Sequence, residues 1–490
     1  MRDYSFGNFI SALRERCGLS QYQLGALVGV SDKAVSKWEN GASKPRIDTI
    51  RKLSEVLDVS VDELLACEYD AFGKKRKDLF AMKREIISIA KNKLKELYGE
   101  IPPIRISNRF KTEELMLDDK EALLWMGFFG KLQEEFCAKD SYFEIKGAQM
   151  GSSFIAWLLG GSKVNPLPPH YYCPICKKVE FVLDEKCGID LPDQKCACGR
   201  NYQKDGFGIS EVNMYPMNNS NEINVSSNGT ECVKDCLHEY FKDYGVVREL
   251  NVIYNEEVQF EISDGFQVTR FALFSKDIAK KYPGGIIDIQ VEEYRNLQSE
   301  CSVLMIVEGV NEQMSSRDFD NREFTTQQIN AFYAYAIENG RFKRDYKEMN
   351  LDKVLLNLQT PKFNELLSVY GFLYGTGAWE NNAEFLYDKG IKLDELISCR
   401  EDVYAYLYEK LNGKCCENPS GQVFEIKEAV RKGRYARRGM PEEIESLLLE
   451  CDVPEWYVES MKKISYLFPK TFLIVLVKRE ICKFVMMNNS

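Results

Sequence analysis

Two cysteine pairs carry the clearest chemistry in the chain: Cys173-Pro-Ile-Cys176 and, after 19 intervening residues, Cys196-Ala-Cys198. Four thiolates at short spacings are the ligand set of a tetrahedral zinc ion, because each short loop delivers two sulfurs to one side of the metal. Lys195 and Gly199 flank the second pair, a cation that favours thiolate and a residue suited to a tight turn. The second pair is CxC rather than CxxC, and Cys187 between the pairs is a fifth thiol able to take a ligand place. The bland alternative is a set of buried free thiols. Sixteen cysteines in 490 residues fall short of a disulfide scaffold. The start, MRDYSFGNF, has no basic-then-apolar signal segment, and the apolar run 472–477 is far shorter than the roughly 20 residues of a membrane span. The expectation is a reducing cytoplasmic setting without membrane contact, in which clustered cysteines hold metal. Only His170 and His238 are present, which excludes histidine-triad and multi-histidine metal chemistry.

A second group of residues is placed to read DNA. In SQYQLGALVGVSDKAVSKWENG, Ser20 and Gln23 have capping-box spacing, and Ser60 and Glu63 repeat it downstream. Ser31 is a good N-cap after the Gly29-Val30 turn. Leu24, Leu27, Val30, Val35 and Trp38 are expected to form one buried face, with Ala26 small enough for close helix approach. Over residues 6–65 this segment resembles the lambda-repressor-like (XRE, Cro/CI) helix-turn-helix family, an all-α five-helix fold. The resemblance implies that the helix after Ser31 enters the major groove, with Lys33, Ala34 and Lys37 toward base edges and Gln21 and Asn40 at phosphate or the first base. Lys44 and Arg46 add cations beside the motif, and family members commonly dimerise, so a homodimer on an inverted repeat is the expected mode. The alternative is a protein-interaction module that has lost DNA binding.

Two further segments have phosphate chemistry within reach. EIKGAQMGSSF (144–154) is Gly- and Ser-rich, so Lys146, Gly151, Ser152 and Ser153 are a weak phosphate cradle set against a plain turn. EIKEAVRKGRYARRGM (425–440) puts Arg431, Lys432, Arg434, Arg437 and Arg438 around Tyr435, which suits single-stranded DNA or nucleotide as well as a solvated helix end.

Long strings around the cysteines, VNPLPPHYYCPICK (164–177) and FVLDEKCGIDLPDQKCACGRNYQKDGFGI, resemble the PolC-type replicative DNA polymerases of Gram-positive bacteria. So do KKYPGGIID, FNELLSVYGFLYGTGAW, ISCREDVYAYL, EAVRKGR and DVPEWYVESMKKISYLFPK, discontinuously from about residue 90 to 485. The resemblance implies a mixed palm with a four-cysteine zinc knuckle, then helical fingers. It also implies a pair of metal-binding aspartates after the knuckle, where this chain has Glu222-Ile223-Asn224. An amide cannot offset Mg²⁺ charge as a carboxylate does. Asp318 and Asp320 are the remaining acids in the neighbourhood, Lys146 replaces an Arg of the triphosphate loop, and Phe472 replaces a His. No exonuclease acid motif and no terminal helix-hairpin-helix or clamp-binding tail is recognised. The implied body is a degenerate polymerase, with Mg²⁺ only if it is active.

These motifs need elements to position them. The predicted architecture is multidomain α+β: a helix-turn-helix domain at 1–66, a linker at 67–79, a PolC-like palm at 80–324 with the knuckle at 173–198, and a helical fingers-like region at 325–490. Nine basic and nine acidic residues make 1–66 neutral, so the net −10 lies in the remainder. Bulk charge therefore excludes nonspecific coating of DNA. The expected function is a DNA-binding regulator or adaptor whose body senses nucleotide or template or binds replication proteins. The alternatives are a reduced metal-dependent polymerase and a non-enzymatic polymerase mimic.

Overall fold

The computed structural model describes residues 4–57, 79–117, 122–214 apart from 142, 146 and 147, the strands 220–226, 246–250, 257–263, 268–274 and 304–310, and residues 324–340, 351–413 apart from 359, and 419–489; residues 61, 64, 232–233, 235–236, 239–240 and 342 are also described. They form two compact units, Met1–Met82 with Val233–Met305 and Lys83–Cys232 with Ile306–Ser490. This grouping differs from the expected palm and fingers division. Val164, Cys187 and Phe207 share one apolar core with Ile329, Val403 and Leu473, so the knuckle-bearing and helical regions fold together. Of the expected linker only Leu79 is described, as the first residue of a helix.

The first unit opens with helices α1 (Tyr4–Arg16), α2 (Gln21–Val28), α3 (Asp32–Glu39) and α4 (Ile47–Leu57). The Ser20/Gln23 capping box forms, with Gln23 N–H donating to Ser20 Oγ at 3.2 Å and Ser20 N–H to Gln23 Oε1 at 2.8 Å. Gly29 at φ 80° ends α2, and Ser31 Oγ caps α3. Of the expected buried face, Leu24, Val35 and Trp38 are buried and Val30 is partly so, but Leu27 is 58% exposed and Val28 takes its place. The close-approach residue is Gly25 rather than the exposed Ala26: a Cβ on Gly25 would meet Val30 O at 2.8 Å. Of the expected fifth helix, only Val61 and the buried Leu64 are described, while Ser60 and Glu63 lie outside the described residues. Strands Val246–Leu250, Glu257–Ser263 and Val268–Phe274 form an antiparallel meander, and Leu273 pairs in parallel with Met305.

The second unit begins with α5 (Leu79–Tyr98), α6 (Ile104–Leu117) and α7 (Ala122–Ala138). Strand β1 (Phe143–Ile145) leads through α8 (Ala148–Gly151) to α9 (Phe154–Leu158). Strands β2 (His170–Tyr172), β3 (Val179–Phe181) and β4 (Gln203–Asp205) make a small antiparallel sheet in the order β3-β2-β4, and β5 (Ser220–Ser226) pairs antiparallel with β1. From residue 324 on, the described residues are mainly helical: α10 (Thr326–Glu338), α11 (Asp352–Asn357), α12 (Phe363–Tyr374), α13 (Glu384–Asp388), α14 (Arg400–Leu411), α15 (Pro419–Arg431), α16 (Arg434–Arg438), α17 (Glu442–Glu450), α18 (Glu455–Lys463) and α19 (Lys470–Asn489). Helix α12 is the centre, buried from Leu366 to Leu373 because apolar residues run round its whole circumference. Among the described residues, no helix is long and apolar enough to cross a membrane.

Candidate nucleic-acid interface and metal centre

In the helix-turn-helix, a buried ion pair ties α1 to the end of α3. Arg14 Nε donates to Glu39 Oε1 at 2.6 Å, and its other nitrogens reach Glu39 Oε2 at 3.1 Å and Leu19 O at 2.8 Å. The guanidinium is held above its ordinary value first by the hydrogen bond to Glu39. Gln21 Nε2 donates to the same carboxylate at 2.7 Å, which ties α2 to the end of α3. Lys33 and Lys37 are exposed on α3, Ala34 is half-buried, and the exposed Ser31 caps the helix. Asn40 is the C-cap of α3 and its amide reaches Ser36 Oγ at 3.3 Å. The exposed Lys44 lays its ammonium 5.8 Å from the Phe6 ring centre. Sequence reasoning missed the Arg14–Glu39 pair, though an Arg on the inner side of α1 was its signal.

The four cysteines converge. Cys173 follows β2, and its turn closes with Lys177 N–H to Cys173 O at 3.0 Å, Lys177 lying at φ 61°. The second turn closes one residue sooner, with Gly199 N–H to Cys196 O at 2.8 Å and Gly199 at φ 86°. Each turn therefore ends on a left-handed residue, and the shorter loop still presents both sulfurs. Cys173 and Cys198 Sγ are 3.5 Å apart, Cys176 and Cys196 Sγ 3.3 Å, and all four lie within 4.8 Å of one another. Tetrahedral Zn–S bonds of about 2.3 Å require sulfurs about 3.8 Å apart, so the set can hold a metal such as zinc. The backbone N–H of Cys176 pulls the Cys173 thiol down to about 6, and that of Cys198 lowers Cys196.

Cys187 is not part of this set. It is fully buried in the main core beside Asn364, and burial pushes its thiol up to about 12, the reverse of what a metal ligand needs. His170 is also structural: its ring nitrogens meet Tyr98 Oη at 3.2 Å and Pro168 O at 2.8 Å. Asn165 joins Tyr98 to Asp205, so the knuckle sheet is pinned to α5 by a buried polar chain.

The Gly/Ser segment is closed rather than open to phosphate. Ser152 and Ser153 are fully buried, and a Cβ on Gly151 would meet Thr471 Cβ at 2.9 Å. The carboxylate of Glu113, itself fully buried, accepts from Ser153 Oγ at 2.8 Å, Phe154 N at 2.9 Å and Ile155 N at 3.0 Å. These are the groups a phosphate would need, and an internal anion already holds them. Arg109 balances Glu113 and donates to Ser152 O at 2.8 Å. Sequence reasoning missed Glu113, whose signal was an acid in the apolar series Ile106, Phe110, Glu113, Leu117. Lys146 lies outside the described residues.

Of the candidate metal positions, Glu222 and Asn224 lie two positions apart on β5, with Asn224 opposite Glu144 of β1; Asp318 and Asp320 lie outside the described residues. In the basic segment, Arg431 Nε bonds Glu428 Oε1 at 2.6 Å and Lys432 pairs with Glu428 Oε2 at 3.2 Å. Burial works to raise the Glu428 carboxyl, but Arg431, Lys427 and Lys432 outweigh it and bring it down to about 2. Two of the expected nucleotide-binding cations are thus neutralised internally. Phe472 packs on Phe468 and Tyr374, with ring centres 5.0 and 5.8 Å away.

Comparison with known proteins agrees with both halves of this picture. Residues 10–64 match the helix-turn-helix family HTH_3. PolC-type DNA polymerase III of Clostridium perfringens is 26% identical over 471 residues, covering 80% of this chain and 31% of that protein. The enzymes of Caldanaerobacter subterraneus and Listeria welshimeri are also 26% identical, covering 80% and 79% of this chain and 32% and 31% of their own lengths. The chain spans about a third of the length of these curated relatives. It therefore carries an XRE-type helix-turn-helix domain at its N-terminus and is similar over most of its length to PolC-type DNA polymerase III.

Proposed function

We propose that the protein is a sequence-specific DNA-binding regulator or adaptor, cytoplasmic, in which a PolC-like body serves recognition rather than synthesis. The observation that carries this reading is α3: capped by Ser31, locked to α2 through Glu39, and presenting Lys33 and Lys37 to solvent. Lys33, Ala34 and Lys37 read base edges in this proposal, while Gln21, Asn40 and Lys44 contact phosphate. The loss of one metal acid to Asn224 and the internal occupation of the Gly/Ser turn by Glu113 support a body without polymerase activity. The cysteine set holds a structural zinc ion through Cys173, Cys176, Cys196 and Cys198. Site selection followed by gel-shift assay tests the reading. Lys33→Ala and Lys37→Ala are each expected to weaken the selected site about 10-fold or more. Binding with no sequence preference, or unchanged in both variants, refutes it.

A reduced nucleotidyltransferase using Glu222 with Asp318 or Asp320 is the second reading, favoured by the place of Glu222 on β5, a strand paired with β1. Primer extension with Mg²⁺ or Mn²⁺ that is abolished in Glu222→Ala would establish it. A mimic that binds replication proteins through the same body is distinguished by recovery of those proteins with a Lys33/Lys37 double variant.

A further inference from the structure

The knuckle sheet has an open edge. Its strand order is β3-β2-β4, so β3 has a neighbouring strand on one side only. Val182 N–H donates to Pro169 O and Cys173 N–H to Lys178 O, each at 2.9 Å, so the even-numbered residues of β3 bond to β2. Antiparallel ladders alternate, and the N–H and C=O groups of Val179 and Phe181 therefore point away from β2. The Phe181 side chain does not close this edge. It packs across the sheet on the His170 ring at 5.4 Å, and the Arg105 guanidinium lies 5.4 Å from its ring centre. Leu183, just past the strand, is 60% exposed. A free edge of this kind accepts another strand unless its side chains forbid it.

The charges on this edge select a second copy of the chain as its partner. The stretch KKVEFVLDE (177–185) opens with two cations and closes with two acids. An edge guarded by one sign of charge repels its own copy, whereas here the order reverses about Phe181. Two copies running antiparallel, with Phe181 opposite Phe181, set Lys178 against Asp184, Lys177 against Glu185 and Val179 against Leu183. This register also matches odd residues with odd ones, the residues whose backbone groups are turned outward. Neighbouring registers of the same parity fail on charge. Centring on Glu180 puts that acid opposite itself; centring on Val182 puts Glu180 opposite Asp184 and Lys178 opposite Lys186. Asp184 is exposed and has no ion pair among the described residues. Glu180 is neutralised within its own chain by Lys178 at 2.5 Å and accepts from Tyr202 Oη at 3.0 Å. Glu185 is already held by Lys362 at 2.9 Å, so the Lys178–Asp184 pair carries most of the selection. We propose that β3 pairs with β3 of a second copy about a two-fold axis at Phe181, joining the two three-stranded knuckle sheets into one. The contact is short, so the dimer is weak, with a dissociation constant of about 10–100 µM.

The test needs no DNA and is independent of the helix-turn-helix reading. Sedimentation of the full chain over about 1–200 µM is expected to show a reversible monomer–dimer equilibrium. Asp184→Lys and Lys178→Asp are each expected to weaken it about 10-fold or more, because two symmetric pairs become repulsive. An equimolar mixture of the two variants is expected to restore it, since every like-charged contact of the parents becomes an opposite pair in the mixed dimer. Unchanged zinc content and melting temperature show that the variants fold. Asp184→Lys, at an exposed bend, carries the test alone if Lys178→Asp disturbs the knuckle. Hydrogen exchange at the Val179 and Phe181 amides is expected to slow as protein concentration rises, while the Glu180 amide, already in the ladder with Tyr171, stays constant. Four results overturn the proposal: a chain still monomeric at the highest concentration, a dimer unchanged in both variants, a mixture that associates no better than its parents, or exchange at 179 and 181 that does not depend on concentration.

Discussion

Replacing Glu113 by Ala removes a fully buried carboxylate from four donors at once: Arg109, Ser153 Oγ and the amides of Phe154 and Ile155. Arg109 keeps Ile209 O at 2.7 Å, Ser152 O at 2.8 Å and Glu211 Oε2 at 3.5 Å, so its charge stays inside without its fully buried carboxylate partner. Breaking a buried ion pair costs about 3–5 kcal/mol, and each orphaned buried amide about 1–3 kcal/mol more where water cannot enter. Relaxation around the 5-residue α9 offsets part of this, so we expect a loss of about 3–5 kcal/mol. A chain with two compact units need not unfold in one step, so the readout is hydrogen exchange at the 154 and 155 amides. A 3 kcal/mol local loss accelerates their exchange by about 150-fold. Glu113→Gln keeps one acceptor and should fall between. If Glu113→Ala changes exchange at these amides by less than about 5-fold, the carboxylate is not their anchor. If a deoxynucleoside triphosphate protects them further in the unaltered protein, the turn is open to phosphate and the reasoning fails.

Cys198→Ser is expected to lower bound zinc well below one equivalent by elemental analysis, whereas Cys187→Ser leaves it unchanged. Arg14→Ala should destabilise the helix-turn-helix by about 3–5 kcal/mol in denaturant melts of that unit, because Glu39 is left charged and buried. Asp190 gives a pH signature: burial pushes its carboxyl up to about 6, against its two hydrogen bonds from the Phe363 and Asn364 amides. A raised folded value means the unfolded chain loses its proton first as pH climbs. Stability from this group is therefore full below about 4 and lost by about 6, and Asp190→Asn should remove that component from the stability–pH curve.

What could be read from the residues followed local chemistry. The Ser20/Gln23 box, the Ser31 cap and the cysteine spacing each depend on a few neighbouring atoms, and each appears where the pattern put it. Leu27 and Ala26 failed for one reason: a short helix crossing two others turns its apolar positions according to the crossing angle, which local pattern does not contain. The Gly/Ser segment failed because its partner, Glu113, is 40 residues away in sequence from Ser153. The split into palm and fingers was illegible because Val164 and Phe207 complete a core built mainly from residues after 324.

The lock of Arg14, Glu39 and Gln21 has a consequence for how DNA binding should respond to salt. Exposed cations placed at phosphate in the proposed mode, such as Lys44, interact across water, where a Debye length of about 8 Å at physiological ionic strength screens them. A buried pair at 2.6 Å feels almost none of that screening. Added salt should therefore loosen the grip on DNA without changing the angle between the two helices that grip it, and the slope of affinity against salt then counts phosphate contacts alone.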